Sequence, residues 1–265
     1  MACVVVPVGS GWPGDQADAR TPIATSAKEV VELAGSASTL ADLDARISVC
    51  RACARLVEWR EGIATTKRAA FAAEEYWGRP VAGWGPADAR VAIVGLAPAA
   101  HGANRTGRVF TGDRSGDWLF AALFRAGFAR IAGSTRADDG QALTDVRMLA
   151  AVRCAPPANK PEPAERDTCR PWLEREFVFL RPTLRVVIAL GGFAWNVIGP
   201  ALAAAGYGVP ARRTRFAHLA EEVTSDGLLL LAAYHPSQQN TFTGRLTEPM
   251  LDAVFIRTTR HLRDG

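Results

Sequence analysis

The sequence predicts an α/β protein: a three-layer α/β/α sandwich around a central four-stranded parallel sheet. Three observations carry this. Four short runs, 91–97, 148–154, 184–191 and 228–234, are apolar on both faces, as strands covered by helices are. Helical patterns fall between and after them, at 116–127, 164–180, 193–205 and 248–262. The alternation implies right-handed βαβ units, which place helices on both faces of a parallel sheet.

Residues 1–38 are rich in Gly, Ala, Ser and Pro and show no sustained period. They are expected to form a mostly disordered N-terminal arm. A single domain is expected over 39–265, opening with LADLDARISV, whose apolar residues have helical spacing. The strand at 91–97 runs into VGLAPAAHGANRTGRVFTGD (94–113), a long Gly-rich loop ahead of an amphipathic segment. The loops 95–115, 154–163 and 235–247 all follow strands, and open α/β sheets bind ligands at the carboxyl ends of their strands.

A hydrophobic content of 48% over 265 residues is ample for a core and excludes global disorder. The longest apolar runs, 186–190 and 227–233, fall far short of the ~20 residues of a membrane helix. The N-terminus lacks the basic start of a secretory signal. A soluble, cytoplasmic, monomeric protein with no membrane partner is expected. A net charge of +4 and a pI near 9.0 permit nucleic-acid binding without demonstrating it. Lysine occurs only at Lys28, Lys67 and Lys160, a bias that a GC-rich genome also produces.

Of the 5 cysteines, Cys3 lies in the arm. Cys50, Cys53, Cys154 and Cys169 read as C-x₂-C, about a hundred residues, then C-x₁₄-C. The short spacing lets two thiolates grip one metal, and disulfides are rare in cytoplasmic proteins. Four thiolates suit tetrahedral zinc or an iron–sulfur cluster, and spacing alone separates neither from the other. The alternative is a set of buried apolar thiols, common singly but not in this pattern.

The last loop, YHPSQQNTFTGRL (234–246), offers His235 at a strand's carboxyl end and the polar Ser237 and Asn240. Arg245 is a candidate for phosphate, and Phe242 or Leu246 for an apolar wedge into a base stack. The bland reading is a polar surface loop whose Phe and Leu fold back onto the domain.

Taken together, GLAPA (95–99) and HPS (235–237) resemble the paired motifs of the uracil-DNA glycosylase superfamily. With the four cysteines, GLAPAAHGANRTGRVFTGD and HPSQQNTFTGRLT are similar to its iron–sulfur-containing family 5, the type called UDGb, over roughly residues 45–262. The resemblance implies a uracil-DNA glycosylase-like fold and a [4Fe–4S] cluster held by Cys50, Cys53, Cys154 and Cys169. It implies a monofunctional hydrolase of N-glycosidic bonds. That enzyme would excise uracil, and other deaminated bases such as hypoxanthine and xanthine, from double-stranded DNA to begin base excision repair. Double-stranded DNA carrying deaminated bases or abasic sites is the expected partner. Other families place an acid or amide in the first motif; Leu96 and Ala97 stand there instead, as family 5 does. Leu149 to Val152, including Ala150, is apolar where family 4 has an asparagine, which implies a less discriminating pocket.

On this reading Gly95, Leu96, Ala97, Phe110 and Ala150 bind the flipped base, with Phe110 as its stacking platform. His235 and the 96–99 amides stabilise the departing anion. Asp113 orients water or stabilises the cationic sugar, or else caps the helix at 116 together with Ser115. Asn159 is a second candidate near the lesion, or a turn residue. His101, Asn104, Arg105 and Arg108 join Ser237, Asn240, Arg245 and Leu246 as expected DNA contacts. The main alternative is a non-catalytic iron–sulfur protein that binds damaged or abasic DNA, favoured by the empty GLAPA motif. An electron-transfer protein lacks support, since G-x-G-x-x-G is absent. A strict family 4-like enzyme is opposed by the missing acid and amide.

Overall fold

The computed structural model describes residues 5–264. Cys3 lies outside the described residues. The elements in chain order begin with α1 (Ala27–Gly35), α2 (Leu40–Ser48) and α3 (Ala54–Thr66). Then come β1 (Val91–Gly95), α4 (Ala103–Thr106), α5 (Arg114–Arg125), β2 (Val146–Ala150) and α6 (Pro163–Leu180). The chain closes with β3 (Val186–Leu190), α7 (Gly192–Ala204), β4 (Glu221–Val223), β5 (Leu229–Ala233), α8 (Gln238–Phe242) and α9 (Glu248–Asp264).

The strands form one sheet in the order β2-β1-β3-β5-β4. The four expected strands pair in parallel, Val91 with Val146 and Val186, and Val186 with Leu229. The fifth, β4, is antiparallel to β5 at the edge, so the sheet has five strands rather than four. It escapes a search for apolar runs because it reads Glu-Glu-Val and buries only Glu222.

Period-two alternation sorts the parallel strands into two cores. Val94, Leu149, Ala189 and Leu230 face Trp172, Phe177, Ile198 and Leu202 of α6 and α7. Ile93, Met148, Ile188 and Leu231 face Phe120, Leu123, Val254 and Phe255 of α5 and α9. This is the predicted helix–sheet–helix sandwich, and it lines up the loops after β1, β2 and β5 at one edge.

The expected disordered arm differs from what the described residues 5–38 show. Within them α1 packs against α6 and buries Val30 and Ala34. Ahead of α1, the Trp12 indole donates to the Thr106 carbonyl at 3.1 Å, and Asp15 pairs with buried Arg79 at 2.8 Å. Isolated anchors on extended chain produce no hydrophobic period, which is why the sequence pattern misses them.

Candidate active site and cysteine site

Beyond Gly95 the chain leaves β1 but keeps pairing: the Ala151 and Val152 N–H groups donate to Gly95 and Leu96 oxygens at 3.0 and 2.9 Å. The GLAPA turn is thereby fixed against the chain after β2. A cavity of about 260 Å³ opens there, at the carboxyl edge of the sheet. Gly95, Leu96, Ala97, Pro98, Ala99 and Ala150 form its floor, and Val109 and Phe110 a wall. Asp113, Ser115, Asn159, His235 and Ser237 supply the polar groups. A larger open groove of about 610 Å³ lies along α5 and α9, and none of these loops reaches it.

Phe110 adopts a positive φ of 54°, which swings its ring over β1. Only glycine fits beneath it: a Cβ on residue 95 would sit 2.6 Å from Phe110 Cζ. The Phe110 and His235 rings lie 6.1 Å apart with planes 38° apart. The His235 carbonyl accepts from Asn240 Nδ2 at 2.8 Å, so Asn240 braces the HPS turn. Burial pushes the His235 imidazole down to about 4, leaving a neutral ring at physiological pH.

Among the described residues, Asp113 is the single acid lining this cavity. Its Oδ1 accepts the Gly116 N–H at 2.9 Å and caps α5, while Oδ2 abuts Gly102. Burial raises its carboxyl above the usual range, against the opposing Gly116 and Ser115 amide bonds. Cap and pocket roles thus coexist in one side chain. Asn159 ends the turn Pro157–Asn159, where Ala158 and Asn159 both have positive φ, 51° and 55°. Its left-handed backbone presents Asn159 to the cavity edge. Among the described residues, neither the Ala97 nor the Ala99 N–H has an acceptor.

Several expected DNA contacts are scaffold instead. Arg105 is buried, pairs with Glu74, stacks over Phe71 and donates to the His101 and Gly112 carbonyls. Arg108 is buried against Trp84 and binds Asp139 at 2.5 Å and Ser134 at 2.8 Å. Arg105 staples the loop's own carbonyls and Arg108 ties the loop to the 134–139 segment, so neither guanidinium is open to phosphate. Asn104 is fully buried and donates to the Arg60 carbonyl at 3.1 Å. His101 is half-buried, with Nδ1 3.1 Å from the Tyr76 hydroxyl. Leu246 is 0% exposed, inside the α5–α9 core, and is no wedge; Phe242, 68% exposed, is the residue that projects, with Arg114 5.2 Å above its ring. Arg245 stays exposed, 4.8 Å over Tyr234. The lining residues Ala103 and Val109 were not singled out in the sequence.

Cys50, Cys53, Cys154 and Cys169 come together on one small enclosure with Leu56, Val152 and Trp172. Cys50 follows α2, Cys53 immediately precedes α3 without a side-chain capping bond, and Cys169 sits on α6. Cys154 lies four residues past β2, not at a strand's end, since the strand stops at Ala150. All four thiols are free, and burial pushes each upward, Cys53 to about 11 and Cys154 to about 12. Among the described residues no group of three or more His, Cys, Asp or Glu is arranged to hold a metal ion as it stands. The surroundings nonetheless suit an anionic metal–thiolate group. The Arg153 N–H donates to Cys169 Sγ at 3.3 Å. Arg153 Nε and Nη1 and Arg60 Nε are buried donors without an acceptor. Buried orphan donors are costly, and extra acceptors at this site would satisfy them.

Behind Arg153 runs a buried charge chain that sequence reasoning missed. Arg153 pairs with Glu176, Glu176 with Arg147 at 2.7 Å, and Arg147 with Asp44 at 2.7 Å. Burial, with Glu176 nearby, raises Asp44 to about 6 despite Arg147.

A sandwich whose carboxyl edge holds this glycine-floored pocket between GLAPA and HPS turns defines a superfamily. The model of the uracil DNA glycosylase superfamily matches residues 82–258, and the chain belongs to that superfamily. Within it the chain stands with the type-5 members. It is 56% identical over 248 residues to the type-5 uracil-DNA glycosylase of Mycobacterium tuberculosis, covering 93% of this chain and 91% of the relative. It is 46% identical over 214 residues to that of Thermus thermophilus, covering 81% and 94%. The type-5 enzyme of Pyrobaculum aerophilum is 43% identical over 212 residues, covering 80% and 88%.

Proposed function

We propose that this chain is a monofunctional DNA glycosylase that hydrolyses the N-glycosidic bond of uracil, and of hypoxanthine and xanthine, in double-stranded DNA. The observation that carries this is the pocket itself: Phe110 held over Gly95, neutral His235 beside it and one acid, Asp113, on the rim. A base in a duplex cannot reach such a cavity, so the nucleotide must flip out, at a cost of a few kcal/mol that is least at mismatches. Phe110 then stacks on the base. As the bond breaks, negative charge grows on the base and positive charge on the sugar. The free Ala97 and Ala99 amides and a neutral His235 N–H are donors for the first; Asp113, raised but ionisable, serves the second or holds the water. No side chain in the floor reads one base edge: Leu96, Ala97 and Ala150 are apolar, which supports a broad range.

The four cysteines are proposed to hold a [4Fe–4S] cluster. Its support is the donor set and the orphaned Arg60 and Arg153 N–H groups, for which inorganic sulfides offer acceptors that a lone zinc does not. When bound, the cluster would cross-link the α2–α3 junction to α6 and the chain after β2. Labelled duplexes with one U·G or one I·T pair, followed by alkaline cleavage, test the function. Strand breaks at both lesions are expected; breaks at uracil alone would overturn the broad range.

A further inference from the structure

With Arg105 and Arg108 turned inward, the pocket edge needs other cations to hold a polyanion. The segment before β4 supplies them. Arg213 faces inward, 4.5 Å over the Trp195 ring and 2.5 Å from Glu222. The Trp195 indole donates to the Thr214 carbonyl at 2.9 Å, and the Thr214 N–H donates to Glu222. Phe216 packs 6.0 Å from Tyr234, and His218 Nδ1 accepts the Tyr234 N–H at 3.1 Å. The segment is thereby pinned beside Tyr234, the neighbour of His235. On either side of the inward pair, Arg212 and Arg215 are exposed and make no hydrogen bond, ion pair or ring contact with described residues. No Asp or Glu occurs in 207–219 or 234–247, and the nearby Glu221 and Glu222 are taken by Arg257 and Arg213.

We propose that Arg212 and Arg215 form a phosphate-gripping pair that, with Arg245, makes a positive rim on the His235 side of the pocket. Their Cα atoms are at most about 11 Å apart, so both reach one DNA strand's backbone. Exposed unpaired cations on a pinned loop lose little order on contact, and each phosphate neutralised releases counterions. The proposal rests on DNA being the substrate and is indifferent to the base removed.

The test is binding of the full chain to duplexes with and without one U·G pair, by fluorescence anisotropy from 50 to 200 mM salt (a range of this order resolves the slope). Arg212→Ser/Arg215→Ser should lower the slope of log K against log[salt] by about 1–2. It should weaken both duplexes by the same factor. Arg181→Ser/Arg185→Ser, at the opposite edge of the sheet, removes the same charge. A slope unchanged in the first variant, or lowered equally in the second, would overturn the proposal. Failure of the wild type to release any base would sink the enzymatic reading alone, since the slopes are read without catalysis.

Discussion

The Phe110 ring occupies the space that a side chain on Gly95 would need, with Cζ 2.6 Å from where that Cβ would lie. One glycine therefore sets the position of the stacking wall. Gly95→Ala should displace the ring and cut excision while the sheet stays intact. Phe110→Ala should cost roughly ten- to a hundredfold in kcat/KM, as loss of a ~1–3 kcal/mol stack does. Single-turnover kinetics beside thermal melting check both; full activity in Gly95→Ala would contradict the packing account.

Asp113 caps α5 through Oδ1 and faces the cavity. Asn is as good a cap, so Asp113→Asn removes charge while keeping the helix. Excision is expected to fall more than tenfold with a melting temperature near wild type. Asp113→Ala should also lose about 0.5–2 kcal/mol of stability. Wild-type excision in Asp113→Asn would leave the cap as its whole role.

His235 takes up its proton near pH 4 when folded and near 6.5 when unfolded. Between those values the unfolded chain binds more protons, so this group's contribution to stability is complete above about pH 6.5 and lost as pH falls toward 4. Excision should not lose activity near pH 6.5 through this imidazole. Its acid limb should follow Asp113, above the ordinary carboxylate range, and vanish in Asp113→Asn. A limb at 6.5 abolished by His235→Asn would show a protonated ring at work.

Leu246 and Phe242 share a loop and separate cleanly. Leu246→Ala opens a buried site and should cost about 2–5 kcal/mol of stability. Phe242→Ala should leave melting unchanged and slow excision from U·A pairs more than from single-stranded DNA. Equal slowing on both substrates would remove Phe242 as a wedge.

The protein as purified should be brown. Stripping iron should lower its melting temperature, since four thiols, Cys169 buried and the others partly so, and the Arg60 and Arg153 donors would lose their partner. A colourless protein whose melting is indifferent to chelators would contradict the cluster.

The parallel strands were legible because β1, β3 and β5 are apolar on both faces and β2 is broken only by Arg147, and both site loops because they follow those strands. β4 was not, since its edge position tolerates Glu221 and an exposed Val223. Residue type also hides direction. Arg105 and Arg108 read as phosphate ligands, but Glu74 and Asp139, thirty-one residues away from each, turn them into staples. Arg212 and Arg215, in an unremarked stretch, are exposed cations instead. Leu246 read as a wedge because its loop is polar; the contacts that bury it come from distant elements.

On the proposed function, base removal is carried out by a pocket whose first motif holds no acid. The decisive assay measures free uracil released from a U·G duplex, by mass spectrometry over time with duplex in excess. Several equivalents of uracil per protein are predicted. Less than one equivalent, with tight binding to abasic DNA, would contradict it and mark a protein that recognises damage without removing it.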